Sequence, residues 1–254
     1  MKVICNHFGD PVFSRLARAL RLSVSLNAPD VEVFDEIVTE VPDEQPGLLR
    51  HYTDNHEKLK VWRSAIHAEP DGSEVVLIDA DTIVLGPLSE AFDTKFDIGW
   101  TWRPGRLPVN SGVVFVTCND RSRAFMDAWV ERDQMLMEHR ELANHGARKF
   151  GGANQASFMW LITHGKGQDI ADCHDLMCKK WNNVDQTWHE FDDDTRILHI
   201  KGKLRDACLG RKNDPFFQSL KLFSVNGIES DIEMAKLAQE WREYDEMAEM
   251  GVGS

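Results

Sequence analysis

Residues 75–85 read VVLIDADTIVL, an apolar run that ends in two aspartates one residue apart. Val75 to Ile78 show no apolar–polar alternation, which predicts a central parallel strand covered on both faces. In sheets of that kind ligands sit beyond the carboxyl ends of the strands, where Asp79 and Asp81 fall. Extended backbone with a period of two would turn both carboxylates to one side, within reach of a single ligand. Two hard oxygen donors there suit Mn²⁺ or Mg²⁺ bound together with substrate phosphates. The competing reading is a surface turn or a helix cap, since aspartate is common in both.

The flanking sequence predicts what surrounds such a strand. Val3 to Cys5 read as a first strand. Asp10 then stands as an N-cap before Pro11, and Phe13, Leu16, Leu20 and Val24 recur at helical spacing. Residues 31–38 are β-branched and strand-like. Residues 57–69 put Leu59, Trp62 and Ile66 on one helical face, and the PDGS turn at 70–73 leads into the aspartate strand. This β-α-β-α-β order predicts an α/β fold with a mostly parallel central sheet and flanking helices. Further strands are expected at 96–102, 111–117 and 196–200, with helices over 121–142 and 154–163. The organisation expected is one catalytic domain over 1–225 and an appended amphipathic helix within 226–254. Trp241 lies on that helix's apolar face, which either packs on the domain or mediates a homodimer.

Composition excludes several alternatives. The net charge of −13 disfavours unaided binding to a nucleic-acid backbone. Much of the acidity lies in the tail, where eight acids face two bases between 227 and 254. No run approaches a membrane span, and the start of the chain lacks the pattern of a signal peptide, so the expected location is cytoplasmic. Five scattered cysteines without a C-x-x-C pair predict reduced thiols. CHDLMC (173–178) gathers Cys173, His174 and Cys178, but no second ligand pair completes a zinc site.

Residues 58–85 resemble the nucleotide-sugar glycosyltransferases of the glycogenin-like family 8, in which a lysine-bearing helix precedes an apolar strand ending in D-x-D. Three more stretches follow in that family's order. VNSGVVFV (109–116) resembles its N-S-G strand, GGANQASF (151–158) its G-G-D-Q helix start, and HIKGKLR (199–205) its H-x-x-G-x-x-K. The resemblance spans residues 1–207. It implies a GT-A, Rossmann-like fold, a Mn²⁺ or Mg²⁺ ion, a nucleotide-diphosphate sugar donor, most simply UDP-linked, and transfer with retention. By position, Asp79, Asp81 and His199 are the implied metal ligands, with Asp79 and Ala80 also against the donor. Gly202, Lys203 and Arg205 are implied at the diphosphate, and Lys58 and Arg50 near the nucleotide or sugar. Asn6, His7 and Phe8 are implied at the base, Asn110 and Ser111 at the donor sugar, and Asn154 and Gln155 at the reacting sugar.

This chain departs from the family in places. Asn154 replaces the acid of G-G-D-Q; it can exchange hydrogen bonds with sugar hydroxyls but cannot act as a carboxylate base or nucleophile. The K-P-W ending is absent, because Arg205 precedes Asp206 and Ala207. Two other functions compete. A haloacid-dehalogenase-type phosphatase also places D-x-D after a strand, with DDDT (192–195) as its late acidic motif. A non-catalytic module would bind a nucleotide sugar without transfer. The acceptor stays open between protein, glycan and small molecule, with nucleic acid disfavoured by charge and lipid by the lack of a basic amphipathic segment.

Overall fold

Every residue of β3 (Glu74–Ile78) except the first is buried, and consecutive side chains enter two different cores. Val76 and Ile78 join one core, Val75 and Leu77 the other, as the uninterrupted apolar run requires. A computed structural model describes residues 1–40, 50–104, 109–164, 166–209 and 230–251. β1 (Lys2–His7), β2 (Val33–Val38), β3, β5 (Ile98–Thr101), β6 (Val113–Thr117) and β7 (Cys173–Leu176) form one sheet in the order β2-β1-β3-β6-β5-β7. β6 alone runs against its neighbours, so the sheet is mostly parallel, as expected.

α1 (Pro11–Asn27) covers one face. Asp10 caps it by accepting from the Val12 N–H at 2.8 Å, and Pro11 starts it. α2 (Arg50–Ala68), α3 (Asp120–Glu138) and α5 (Ala153–Thr163) cover the other face around Trp62, Trp129 and Phe158. The helix expected over 121–142 is two helices. His139 leaves helical geometry (φ −114°, ψ 84°), and its N–H closes α3 on the Leu136 carbonyl. Its own carbonyl then receives Leu142 and Ala143 as α4 (Arg140–Phe150) begins.

β4 (Thr82–Val84) and β8 (Ile197–His199) are not part of the main sheet; they pair antiparallel as a separate ribbon, with Thr82 opposite His199. The short helices α6 (Lys166–Ile170), α7 (Cys178–Trp181) and α8 (Lys203–Cys208) complete the elements before residue 210. The five cysteines are free thiols, and among the described residues Cys173, His174 and Cys178 form no metal-ligand group. In DDDT the three aspartates are exposed while Thr195 is buried, and Asp192 and Asp194 pair with Lys179 and Lys180. No helix among the described residues is long and apolar enough to cross a membrane.

The C-terminal helix α9 (Ser230–Glu249) belongs to the first core; the boundary expected at 225–226 lies outside the described residues. Trp241 is fully buried, so its face packs on the domain. Arg15 of α1 clamps Asp245 with two of its nitrogens, Nε at 3.0 Å and Nη2 at 2.5 Å. Asn27 Nδ2 donates both to Tyr244 Oη (2.6 Å) and to the Val84 carbonyl (2.8 Å), tying α9 to α1 and β4. Arg242 Nη2 donates to the Ala207 carbonyl of α8 at 3.0 Å. Trp241→Ala should therefore destabilise the whole fold by about 3–5 kcal/mol in urea denaturation, the range for emptying a buried aromatic site. A loss of under about 1 kcal/mol would mean that α9 is a loose appendage.

Candidate metal centre

The chain leaves β3 at Ile78 and turns at Ala80–Asp81 before entering β4. The two aspartates therefore straddle a turn, whereas continuous extended backbone was expected between them. Thr82 Oγ1 fixes the turn by donating to the Asp79 carbonyl at 2.7 Å, and Asp79 N–H donates to the Gly112 carbonyl of the neighbouring strand's lead-in (2.7 Å). Both carboxylates still converge, because the ribbon register sets His199 beside them. One ligand atom from each of Asp79, Asp81 and His199 lies within 4.8 Å of the others. His199 Nε2 is 3.2 Å from Asp81 Oδ1 and 4.0 Å from Asp79 Oδ2.

Two buried or half-buried carboxylates at this spacing repel one another unless cations answer them. Lys58 Nζ lies 2.6 Å from Asp79 Oδ1 and 4.5 Å over the Trp62 ring. Arg205 Nη1 lies 3.1 Å from Asp81 Oδ2. Burial alone would push the Asp81 carboxyl up, but His199 foremost, then Arg205 and Lys58, hold it down at about 2. Asp81 is thus a carboxylate at neutral pH, the form that ligates a cation.

Two residues that the sequence did not single out make this arrangement possible. Asn182 Oδ1 lies 3.0 Å from His199 Nδ1, while its Nδ2 donates to Thr101 Oγ1 (3.0 Å) and the Asn110 carbonyl (3.3 Å). Because that amide oxygen can only accept, Nδ1 carries a hydrogen, and Nε2 faces the carboxylates: protonated it donates to Asp81, and once its proton is displaced its lone pair is free for a cation. Gly112 supplies the room. A Cβ there would stand 2.4 Å from His199 Cε1 and 2.5 Å from Asp79 Oδ2, so any larger residue would push the ligands apart.

The other expected residues take these positions. Ala80 is buried between the aspartates. Asn110 Oδ1 caps the turn before β6 by accepting from the Gly112 N–H (2.7 Å), and Ser111 Oγ accepts from Asn154 Nδ2 (3.0 Å). Asn154 is buried, and among the described residues its Oδ1 and the Oε1 of Gln155 have no hydrogen-bond partner. Gly202 opens α8 with φ +57°, a left-handed conformation that glycine accommodates, and faces open space. At the end of β1, Asn6 Nδ2 donates to the Ile37 carbonyl (2.8 Å), leaving its buried Oδ1 unpartnered. His7 has both ring nitrogens engaged, with Glu36 (2.9 Å) and the Gly9 N–H (3.2 Å). Phe8 follows it half-buried. Arg50 and Lys203 open α2 and α8, but their side chains lie outside the described residues.

Two carboxylates and a correctly tautomerised imidazole fit a small divalent cation with hard character, Mn²⁺ or Mg²⁺. No known family model matches the sequence, and no curated protein matches it either. Solved structures do match the fold. A glycosyltransferase involved in the glycosylation of the major capsid of PBCV-1 superposes with a TM-score of 0.58 at 12% identity, covering 81% of this chain and 95% of that one. The glycosyltransferase GlyE of Streptococcus pneumoniae TIGR4 superposes with a TM-score of 0.54 at 13% identity, covering 96% of this chain and 60% of GlyE. At that identity the likeness establishes architecture, and the architecture is that of GT-A glycosyltransferases. Replacing Asn182 with alanine frees the His199 tautomer and should weaken Mn²⁺ binding roughly 10- to 100-fold by calorimetry, with the folded state retained. Unchanged affinity would show that the amide does not orient the ring.

Proposed function

We propose that this protein is a metal-dependent glycosyltransferase that takes its sugar from a nucleotide diphosphate, UDP in the simplest case, and transfers it with retention. The observation that carries the reading is the convergence of Asp79, Asp81 and His199 between two cations, Lys58 and Arg205, at the strand ends of a GT-A sheet. Asp79, Asp81 and His199 hold the Mn²⁺ or Mg²⁺, and Ala80 keeps the turn between the aspartates narrow. That ion, when bound, stabilises the negative charge that develops on the diphosphate as its bond to the sugar breaks.

The chain's own groups act on the same charge. Arg205 offers a planar fork of donors to a phosphate oxygen. Gly202 lets the backbone approach the phosphates, and Lys58 extends the positive lining from α2. At the sugar end, the bare oxygens of Asn154 and Gln155 accept hydroxyl protons beside Asn110 and Ser111. At the base end, Asn6 Oδ1 accepts from a uracil N–H beside His7 and Phe8. Because Asn154 is an amide, this position orients the sugar and does not attack it or remove a proton. The free thiols suit a reducing compartment, the cytoplasm.

The test is the release of UDP from UDP-glucose and UDP-galactose with Mn²⁺ present. Asp81→Ala removes a metal ligand and the partner of Arg205, and turnover should fall by at least about a hundredfold. Full metal-dependent turnover in that variant would remove Asp81 from the site. Binding of UDP-sugars without turnover across protein, glycan and small-molecule acceptors would favour the non-catalytic module instead.

A further inference from the structure

The cations around the metal set approach it from two sides. Arg205 comes from the side of α1, with its guanidinium 5.6 Å over the Phe13 ring. Lys201, two residues past His199, turns the other way and places Nζ 3.1 Å from Asp185 Oδ1. The same carboxylate oxygen lies 3.8 Å from Nη1 of Arg103, which follows β5. Arg103 is fully buried; among the described residues its Nη2 donates to the Val109 carbonyl (2.7 Å), and its Nε and Nη1 find no hydrogen-bond acceptor. A buried guanidinium with unused donors is costly unless something accepts from them.

Two cations therefore share one carboxylate whose side chain is 42% exposed. The result is a local excess of positive charge in a chain of net charge −13. It adjoins the metal set, since Val109 precedes Asn110, whose carbonyl accepts from the same Asn182 that orients His199. Asp81 is already engaged by His199 and Arg205.

We propose that Lys201 and Arg103 form a second oxyanion-binding position, which receives a phosphate or carboxylate carried by the glycosyl acceptor. Its assignment to the acceptor rests on the reading above, in which the donor diphosphate occupies the Arg205 side. Asp185 competes for the same cations when no acceptor is bound. The two neighbours of the site then have opposite effects: removing Lys201 weakens the oxyanion, and neutralising Asp185 strengthens it.

The test is calorimetry on the full chain, with glucose 6-phosphate, glucuronate and glucose as probes, alone and with UDP and Mn²⁺ present. The wild type should hold at least one charged sugar about tenfold more tightly than glucose, and the pair of charged probes tells phosphate from carboxylate. Lys201→Met should lower that affinity about tenfold and leave glucose unaffected. Asp185→Asn, on a half-exposed side chain, should raise it a few-fold; if Lys201→Met does not fold, this gain carries the test. Charged sugars bound no better than glucose would overturn the proposal, as would both variants moving in the same direction. If charged sugars and UDP exclude each other and Lys201→Met weakens both alike, the position belongs to the donor and the proposal fails. If UDP does not bind at all while the opposite responses persist, the oxyanion position stands and the donor reading falls.

Discussion

The repulsion between two carboxylates at the end of one buried strand is the constraint that organises this molecule. Asp79 and Asp81 are brought together by a three-residue turn, and separated charges in a low-dielectric setting cost several kcal/mol unless they are answered. Each neighbouring element answers them. α2 supplies Lys58, α8 supplies Arg205, and the β4–β8 ribbon supplies His199 at the register opposite Thr82. The ribbon is short, but without it the imidazole has no reason to stand beside the carboxylates.

Packing then serves this electrostatic arrangement. β6 lies close enough to β3 for the Asp79 N–H to reach the Gly112 carbonyl, and position 112 lacks the Cβ that would strike His199 and the Asp79 carboxylate. α7 ends at Trp181, and the next residue places its amide among Thr101, Asn110 and His199. One side chain thus ties the ends of β5 and β8 to the segment that leads into β6, so His199 and Asn110 share a common support.

Much of this was legible in the sequence where the signal is periodic or local. The unalternating run at 75–78 gave away a strand buried on both faces, and Asp10–Pro11 gave away the start of α1. His199 was legible only through the order of four short motifs, since a histidine ending a three-residue strand carries no pattern of its own. β4 and β7 escaped because strands of three and four residues offer too few positions for a period to show. The break at His139 escaped because no glycine or proline marks it. Asn182 and Gly112 escaped for a different reason. Their importance comes from neighbours distant in the chain, 17 residues away for His199 and 33 for Asp79 by numbering, and nothing local to either records that contact.

The seating of α9 has a consequence for how the protein is made. A ribosome delivers the chain from its N-terminus at about 5–20 residues per second. α1 and the sheet therefore emerge well before the helix that covers them. Until Trp241 arrives, the part of α1 that packs against α9 has no cover, and until Arg242 arrives, the Ala207 carbonyl of α8 lacks that donor. The helix bearing Arg205 is thus secured only once α9 has emerged. A nascent chain that already carries Asp79, Asp81 and His199 still exposes a hydrophobic surface that chaperones would recognise.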